Sequence, residues 1–160
     1  MLLKKYPNLD QNQLLWCFLA VFSCEGGIQS YVKDILDASQ TIKPVSPDSK
    51  ININPQNQVL ILRDYPGCPN PFETPSSSFQ FEYFKSQNPL WGRIKLAISL
   101  LTNLVQYRPR RVLCGHINLA PLVQIICQPL SIPYTVLTYG KEVWEPLPKK
   151  QQKALQKIWE

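Results

Sequence analysis

The chain of 160 residues, 44% of them hydrophobic and 18% charged, has the length and composition of one globular domain with a sizeable core. Its net charge of +6 favours anionic partners, the alternative being a basic but inert surface. The chain lacks a compact block of lysine and arginine interleaved with aromatic residues, so a nucleic-acid groove is not predicted. The five cysteines, an odd number with no CxxC pair, exclude a disulfide framework and a zinc site and indicate a reducing cytoplasm.

The first predicted unit is a strand, a glycine-containing loop and a helix. The apolar run Leu14–Phe22 contains aromatic and β-branched residues, as expected of a strand covered on both faces. The loop Ser23–Gly27 follows, and apolar residues at helical spacing predict a helix from Ile28 to about Ala38. No stretch approaches the ~20 apolar residues that a membrane-spanning helix needs.

Two strands and the longest helix come next. Gln58–Asp64 is predicted to be a second buried strand, and Tyr65–Ser78, with four prolines, a long loop. Apolar and polar residues alternate in Phe79–Phe84, which predicts a half-exposed or edge strand. The helix is predicted over Trp91–Tyr107, where apolar residues form one stripe: Ile94, Ala97, Ile98, Leu101, Leu104 and Val105.

The last part of the chain continues the alternation of strands and helices. The predicted elements are a strand at Arg111–His116, a helix at Leu119–Cys127 capped by Asn118, a strand at Ile132–Tyr139 and a helix from Lys149. Such alternation implies right-handed crossovers. The predicted fold is therefore α/β, a Rossmann-like and mostly parallel sheet with helices on both faces.

Ligands of this fold class bind outside the carboxyl ends of the strands. Polar and glycine residues follow several predicted strand ends: Cys24 to Gly27, Asp64 and Tyr65, Gly115 to Asn118, and Tyr139 to Glu142. Since parallel strands end at one edge of the sheet, these segments are expected to converge on one rim.

The paired glycines Gly26 and Gly27 lie between a predicted strand end and a helix start. A helix N-terminus carries unpaired N–H groups and partial positive charge, so a phosphate or sugar could approach there. A plain turn is the alternative. Neither GxGxxG nor GxxxxGK[ST] occurs, so neither a classical dinucleotide site nor a P-loop is predicted.

Three residues of this rim are candidates for chemistry. His116, the only histidine, could as a neutral ring orient a hydroxyl or act as a base, or could be a purely structural hydrogen-bonding group. Glu142 could be a general base or bind a sugar hydroxyl, and Glu25 is interpreted in the same way; both could also be solvated loop carboxylates. One histidine and scattered carboxylates predict no metal site.

Two segments carry a resemblance to a known family. The segment EGGIQSYVKDIL (Glu25–Leu36) and the segment VLCGHINLAPLVQIICQPLSIPYTVLTYGKEVWEPL (Val112–Leu147) resemble the N-terminal domain of family 4 glycosyltransferases of the GT-B type. The second segment contains a strand ending in GHIN and a G-x-E-V-W motif. The resemblance spans about Leu14 to Glu160, although residues 40–90 match only in the order of elements.

The resemblance implies a retaining transfer of a sugar from a nucleotide-sugar, a co-substrate and not a cofactor, to a sugar or lipid-linked acceptor. Gly26 and Gly27 would meet the donor's phosphate or sugar, and Glu25, Asn118 and Lys141 would face the acceptor. Relatives place a histidine where this chain has Tyr139, so the catalytic residue is unknown and the candidates are His116, Tyr139 and Glu142.

Residues 1–160 would then be the acceptor-side domain, without the donor-binding domain and its E-x7-E motif, and are expected to be inactive alone. The alternative is a non-catalytic module that pairs with a separate donor-binding half through an apolar patch including Ala154, Leu155, Ile158 and Trp159. A hydrolase is disfavoured because no GxSxG motif occurs. The expected location is the cytoplasm, with at most peripheral contact at the inner membrane face.

Overall fold

A five-stranded parallel sheet forms the centre of the structure, a computed structural model that describes residues 13–41, 57–75, 77–140 and 144–156. The strands are β1 (Leu14–Phe18), β2 (Asn57–Ile61), β3 (Phe79–Tyr83), β4 (Arg111–Cys114) and β5 (Tyr134–Val136). Their order across the sheet is β3-β2-β1-β4-β5, and all four neighbouring pairs are parallel. The predicted Rossmann-like α/β fold is confirmed, and β3 is an edge strand as its alternating sequence predicts.

The α-helices whose full bounds fall within the described ranges connect or follow these strands. They are α1 (Gly27–Thr41), α2 (Pro89–Tyr107), α3 (Ala120–Cys127) and α4 (Lys149–Gln156). The connection from β2 to β3 is a loop, as predicted, although the two strands pair in parallel. No helix within the described ranges combines the length and apolar character needed to cross a bilayer.

Both faces of the sheet are apolar. Successive side chains of each strand point to opposite sides, and in β1 the side chains on both sides are apolar. In β1, Leu15 and Cys17 belong to the core cluster that also contains the buried side chains of α2 and α3. Trp16 and Phe18 belong to a second cluster with the buried side chains of α1. This two-sided burial explains why β1 is a continuous apolar run in the sequence.

The α1 side of the sheet is filled mainly by aromatic rings. The loop between β2 and β3 contributes Phe72, whose ring centroid lies 6.2 Å from that of Phe22 and 6.5 Å from that of Phe79. Phe81 packs edge-on against Phe22 at 5.9 Å. Ring packing therefore covers the area that a second helix would cover in a regular doubly wound sheet.

Helix α2 is apolar on two faces. Its buried face carries Leu96, Leu100 and Leu104, each with no exposed surface. Of the stripe predicted from the sequence, Leu104 is buried and Ala97 is partly buried, whereas Ile94, Ile98, Leu101 and Val105 are exposed. The predicted stripe thus marks mainly the outer face, because two apolar faces compete and only packing decides which one meets the sheet.

Local capping differs from the prediction at α3. Asn118 does not cap this helix; the side chain of His116 caps a short 3-10 turn, Ile117–Leu119, and α3 then begins at Ala120 without a side-chain cap. The histidine ring accepts the amide hydrogen that an asparagine or serine side chain would otherwise accept.

Helix α4 packs on the chain's own core. Ala154 is fully buried and Leu155 packs partly against the same cluster. The Tyr134 hydroxyl also donates a hydrogen bond of 2.7 Å to the Ala154 carbonyl oxygen. The prediction that Ala154 forms part of an exposed docking patch is therefore wrong, Leu155 is only partly buried, and Ile158 and Trp159 lie outside the described residues.

Candidate functional site

The candidate site lies where the chain direction across the sheet reverses. From β1 the chain crosses to β2 on one side, whereas from β4 it crosses to β5 on the other side. The carboxyl ends of β1 and β4 are neighbours, joined beyond the strands by a hydrogen bond of 2.8 Å from the Gly115 amide to the Cys17 carbonyl oxygen. Such a switch point leaves a crevice between the two outgoing loops, the place where α/β sheets bind ligands.

Asp64 holds the loop after β1 in place. Its buried carboxylate accepts hydrogen bonds from the amides of Val21 (3.0 Å), Phe22 (2.7 Å) and Ser23 (3.3 Å), and from the Ser23 hydroxyl (2.5 Å). The strand ends at Phe18, four residues earlier than predicted, and the amides of Val21 and Phe22 bind a side chain and not a neighbouring strand. Asp64 follows a strand end, as predicted, but its carboxylate is committed to the loop.

The paired glycines leave the N-terminus of α1 sterically accessible. Neither Gly26 nor Gly27 has a positive φ, so the backbone conformation itself does not require glycine there. A Cβ atom at Gly27 would meet no described atom within 4 Å, and one at Gly26 would meet only the flexible side chain of Gln29. The first turn of α1 contains no acidic residue. A phosphate could therefore reach its amides without steric obstruction, with the exposed Glu25 carboxylate as the acidic neighbour in the chain.

His116 lies on the opposite side of the crevice, directly after β4. Its Nδ1 atom accepts a hydrogen bond of 3.1 Å from the Asn118 amide. A neutral ring with an accepting Nδ1 carries its proton on Nε2, so it presents a donor and not a base at that atom. The neighbouring Gly115 is required sterically, because a Cβ atom there would collide with the Phe18 ring.

Tyr139 reaches the same rim from the segment after β5. Its ring packs edge-on against the Tyr31 ring, with the centroids 5.7 Å apart, and its hydroxyl oxygen is shielded from solvent. Tyr31 is half-exposed and lies one helical turn after Gly27, on the same side of α1. The sequence analysis did not select Tyr31, although its spacing of four residues from Gly27 could have indicated it.

The remaining predicted residues have different surroundings. Glu25 is exposed at the loop before α1. Asn118 is exposed, and its Oδ1 atom accepts a hydrogen bond of 2.8 Å from the Gln151 side chain of α4. Lys141 and Glu142 lie outside the described residues. The structure thus brings the glycine loop, His116 and Tyr139 to one rim, with Asn118 tied to the last helix.

The buried cysteines take no part in this rim. Burial raises the pKa of the Cys114 and Cys127 thiols from 9.0 to about 12, and it also raises the pKa of Cys17. These thiols stay protonated at neutral pH and behave as small apolar groups. Within the described part of the chain, no group of three or more ligating side chains could hold a metal ion.

A polar groove of about 280 Å³ lies apart from the rim, between β2, β3 and the second half of α2. Its internal contacts are made by its own side chains: the Ser99 hydroxyl donates to Glu82 at 2.7 Å, and the Asn103 amide donates to the Ser99 carbonyl oxygen at 2.9 Å. These bonds satisfy Ser99 and Asn103, whereas the buried Oε1 atom of Gln58, which also lines the groove, accepts no hydrogen bond from the described residues.

No family model matches this chain, and neither a curated protein nor a solved structure matches it. The class of protein is therefore defined by the chain's own geometry. It is a Rossmann-like α/β domain whose glycine loop and histidine turn meet at the switch point of a parallel sheet.

Proposed function

We propose that this chain is the acceptor-side, N-terminal domain of a retaining GT-B glycosyltransferase similar to family 4, which transfers a sugar from a nucleotide-sugar to an acceptor. One observation carries the proposal: the open glycine loop of α1 and the His116 turn lie on adjacent strands at the switch point. This is the position at which an α/β sheet admits a phosphorylated ligand.

The glycine loop supplies the phosphate-binding half of the proposed site. The amides at the start of α1 are accessible past Gly27, and the helix dipole favours an anion there. The fold of the loop does not depend on the ligand, since Asp64 already binds the amides of Val21 and Phe22. Such a pre-formed loop loses little conformational entropy when a ligand binds.

The His116 turn and the tyrosine pair supply the sugar-binding half. His116, whose Nδ1 atom accepts a hydrogen bond from the Asn118 amide, contributes a polar hydrogen-bonding group to this side of the rim. The rings of Tyr31 and Tyr139 form an aromatic wall one turn from Gly27, against which the apolar face of a sugar ring can pack. Neither group is positioned as a strong base, which agrees with a domain that binds and orients more than it reacts.

Catalysis in this proposal needs a second, donor-binding domain that carries an E-x7-E motif. Stabilisation of the leaving phosphate is mainly electrostatic, so the acceptor-side domain alone is expected to transfer little sugar. We place the protein in the cytoplasm, and its five free cysteines, four of them buried, support a reducing compartment.

The test is nuclear magnetic resonance of the ¹⁵N-labelled full chain titrated with nucleotide-sugars, each compared with the free sugar. We expect weak binding that shifts the amides of Gly26, Gly27 and Asn118 and that requires the diphosphate. Gly27→Val should remove the shifts, because a branched side chain fills the approach to the helix amides.

Ser30→Val is the matched control, since it introduces the same side chain at an exposed position of the same helix. It should retain the shifts. Shifts confined to the β3 edge, or none with any nucleotide-sugar, would contradict the proposed site. Robust sugar transfer by the chain alone would contradict its role as one half of an enzyme.

A further inference from the structure

Helix α2 carries a second apolar face that no described residue covers. We call it the α2 stripe; its members are Leu90, Trp91, Ile94, Ile98, Leu101 and Val105. Each of them exposes between 37% and 62% of its surface. Single exposed apolar residues are common, but a continuous row of large ones on one helix indicates a surface that a partner covers.

The α2 stripe is continuous along the helix. Its residues recur at intervals of three or four, so they share one side of α2, opposite the buried Leu96 and Leu100. From Leu90 to Val105 the helix rises about 22 Å, at ~1.5 Å per residue. The exposed polar residues along the helix are Arg93, Lys95, Thr102 and Gln106.

Charge decides which partner fits this surface. Residues 85–111 contain six basic side chains and no acidic one: Lys85, Arg93, Lys95, Arg108, Arg110 and Arg111. A second copy that packs its own α2 against the stripe would bring like charges together, which opposes association. A partner with an apolar interior and a negatively charged surface matches both features, and an anionic lipid bilayer has that composition.

We propose that the α2 stripe docks on the surface of an anionic lipid bilayer. The apolar side chains enter the boundary between headgroups and acyl chains, and Trp91 lies at the headgroup level. Arg93 and Lys95, both exposed near the first turns of α2, bind lipid phosphates. This inference rests on α2 alone and does not depend on the proposed glycosyltransferase activity.

The topology places this surface beside the candidate site. Helix α2 begins just after the carboxyl end of β3, which is the sheet edge at which the glycine loop and His116 also lie. The first turn of the α2 stripe therefore lies at the end of the sheet that carries the rim, although α2 and α1 pack on opposite faces.

The test is flotation of the full chain with vesicles of phosphatidylcholine alone or mixed with phosphatidylglycerol. We expect binding to the anionic vesicles only, reduced by high salt. Ile98→Ser combined with Val105→Ser should weaken binding about tenfold or more, because two large side chains no longer enter the bilayer. Arg93→Gln combined with Lys95→Gln should weaken binding about thirtyfold, at roughly 1 kcal/mol per basic residue near an anionic surface.

Two control variants separate the α2 stripe from other exposed features. Ile125→Ser removes an aliphatic side chain that is 69% exposed on α3, and Lys149→Gln with Lys150→Gln removes two exposed charges from α4. Both should bind anionic vesicles like the unaltered chain, and thermal unfolding checks that every variant is folded.

Three results would overturn the proposal. Equal binding to neutral vesicles would remove the role of the basic residues, and loss of binding in the Lys149 and Lys150 variant would move the surface to α4. A dimer that forms in sedimentation experiments and dissociates in the Ile98→Ser variant, without vesicle binding by the unaltered chain, would assign the stripe to a second copy.

Discussion

The two long helices on opposite faces of the sheet begin in different ways. Helix α2 is started by its nearest neighbours: Asn88 accepts a hydrogen bond from the Leu90 amide, and Pro89 occupies the first turn. The loop before α1 is instead held by Asp64, a residue more than forty positions away in the chain. Asp64 binds the loop and not the first turn of α1, so it does not cap the amides of that turn. Asn88, in contrast, caps an amide of the first turn of α2.

The outer faces of the two helices differ as well. Helix α1 buries Val32 and Leu36 and is otherwise mostly polar outside, but α2 buries one apolar face and exposes another. The comparison thus separates a sterically open helix terminus on α1 from an uncovered apolar side on α2.

The largest expected effect tests the start of α1. Asp64→Ala removes the acceptor for three amides and one hydroxyl in a buried site, and should lower the free energy of unfolding by about 3–5 kcal/mol. Asn88→Ala removes only a local cap and should cost about 1 kcal/mol. Urea denaturation measures both variants, and equal costs would show that the two helix starts are not distinct.

The next effect concerns the two apolar faces of α2. Leu100→Ala should lower the free energy of unfolding by about 2–5 kcal/mol, since Leu100 is fully buried. Ile98→Ser on the α2 stripe should change it by less than about 0.5 kcal/mol. Chemical denaturation distinguishes the two, and a large loss for Ile98→Ser would mean that part of this chain covers the stripe.

Gly92 of α2 and Gly27 of α1 differ in the space that surrounds them. A Cβ atom at Gly92 of α2 would lie 2.7 Å from the Phe84 carbonyl oxygen, so Gly92→Ala should cost about 1–3 kcal/mol. Gly27→Ala of α1 meets open space and should be neutral or stabilise by up to about 1 kcal/mol. Thermal unfolding of the Gly92→Ala and Gly27→Ala variants measures both effects. Destabilisation by Gly27→Ala would show that the space around Gly27 is not open.

The smallest effect appears only in alkali, on the α2 side of the sheet. Burial raises the pKa of the Cys114 thiol from 9.0 in the unfolded chain to about 12 in the fold. The raised pKa means that its contribution to stability is complete below pH 9 and is lost as the pH rises towards 12. Urea denaturation across this pH range should show a falling free energy of unfolding, with a shallower fall for Cys114→Ala. An identical fall in both proteins would show that ionisation of Cys114 does not contribute to it.

Much of the fold could be predicted because it depends on local patterns. The alternating residues of Phe79–Phe84 indicate an edge strand, and the apolar run from Leu14 indicates a central one. The end of that strand could not be predicted, since the amides of Val21 and Phe22 bind Asp64, whose distance in sequence hides the contact. The cap formed by His116 could not be predicted either. The ring accepts the Asn118 amide hydrogen, as a short polar side chain would, only in the orientation that the structure shows.

The candidate site could be predicted in position but not in chemistry. Strand ends placed Gly26, Gly27 and His116 on one rim, yet the donating state of His116 follows from its contact with the Asn118 amide. The outer face of α2 could not be separated from its inner face by spacing alone, because both faces are apolar.

The Asp64 carboxylate also constrains how the protein assembles. The loop that precedes α1 has no way to reach its final geometry until Asp64 has been synthesised and β2 has paired with β1. A nascent chain that stops before this residue would hold the glycines in an unformed loop, so the N-terminal end of α1 matures only when the first crossover is complete.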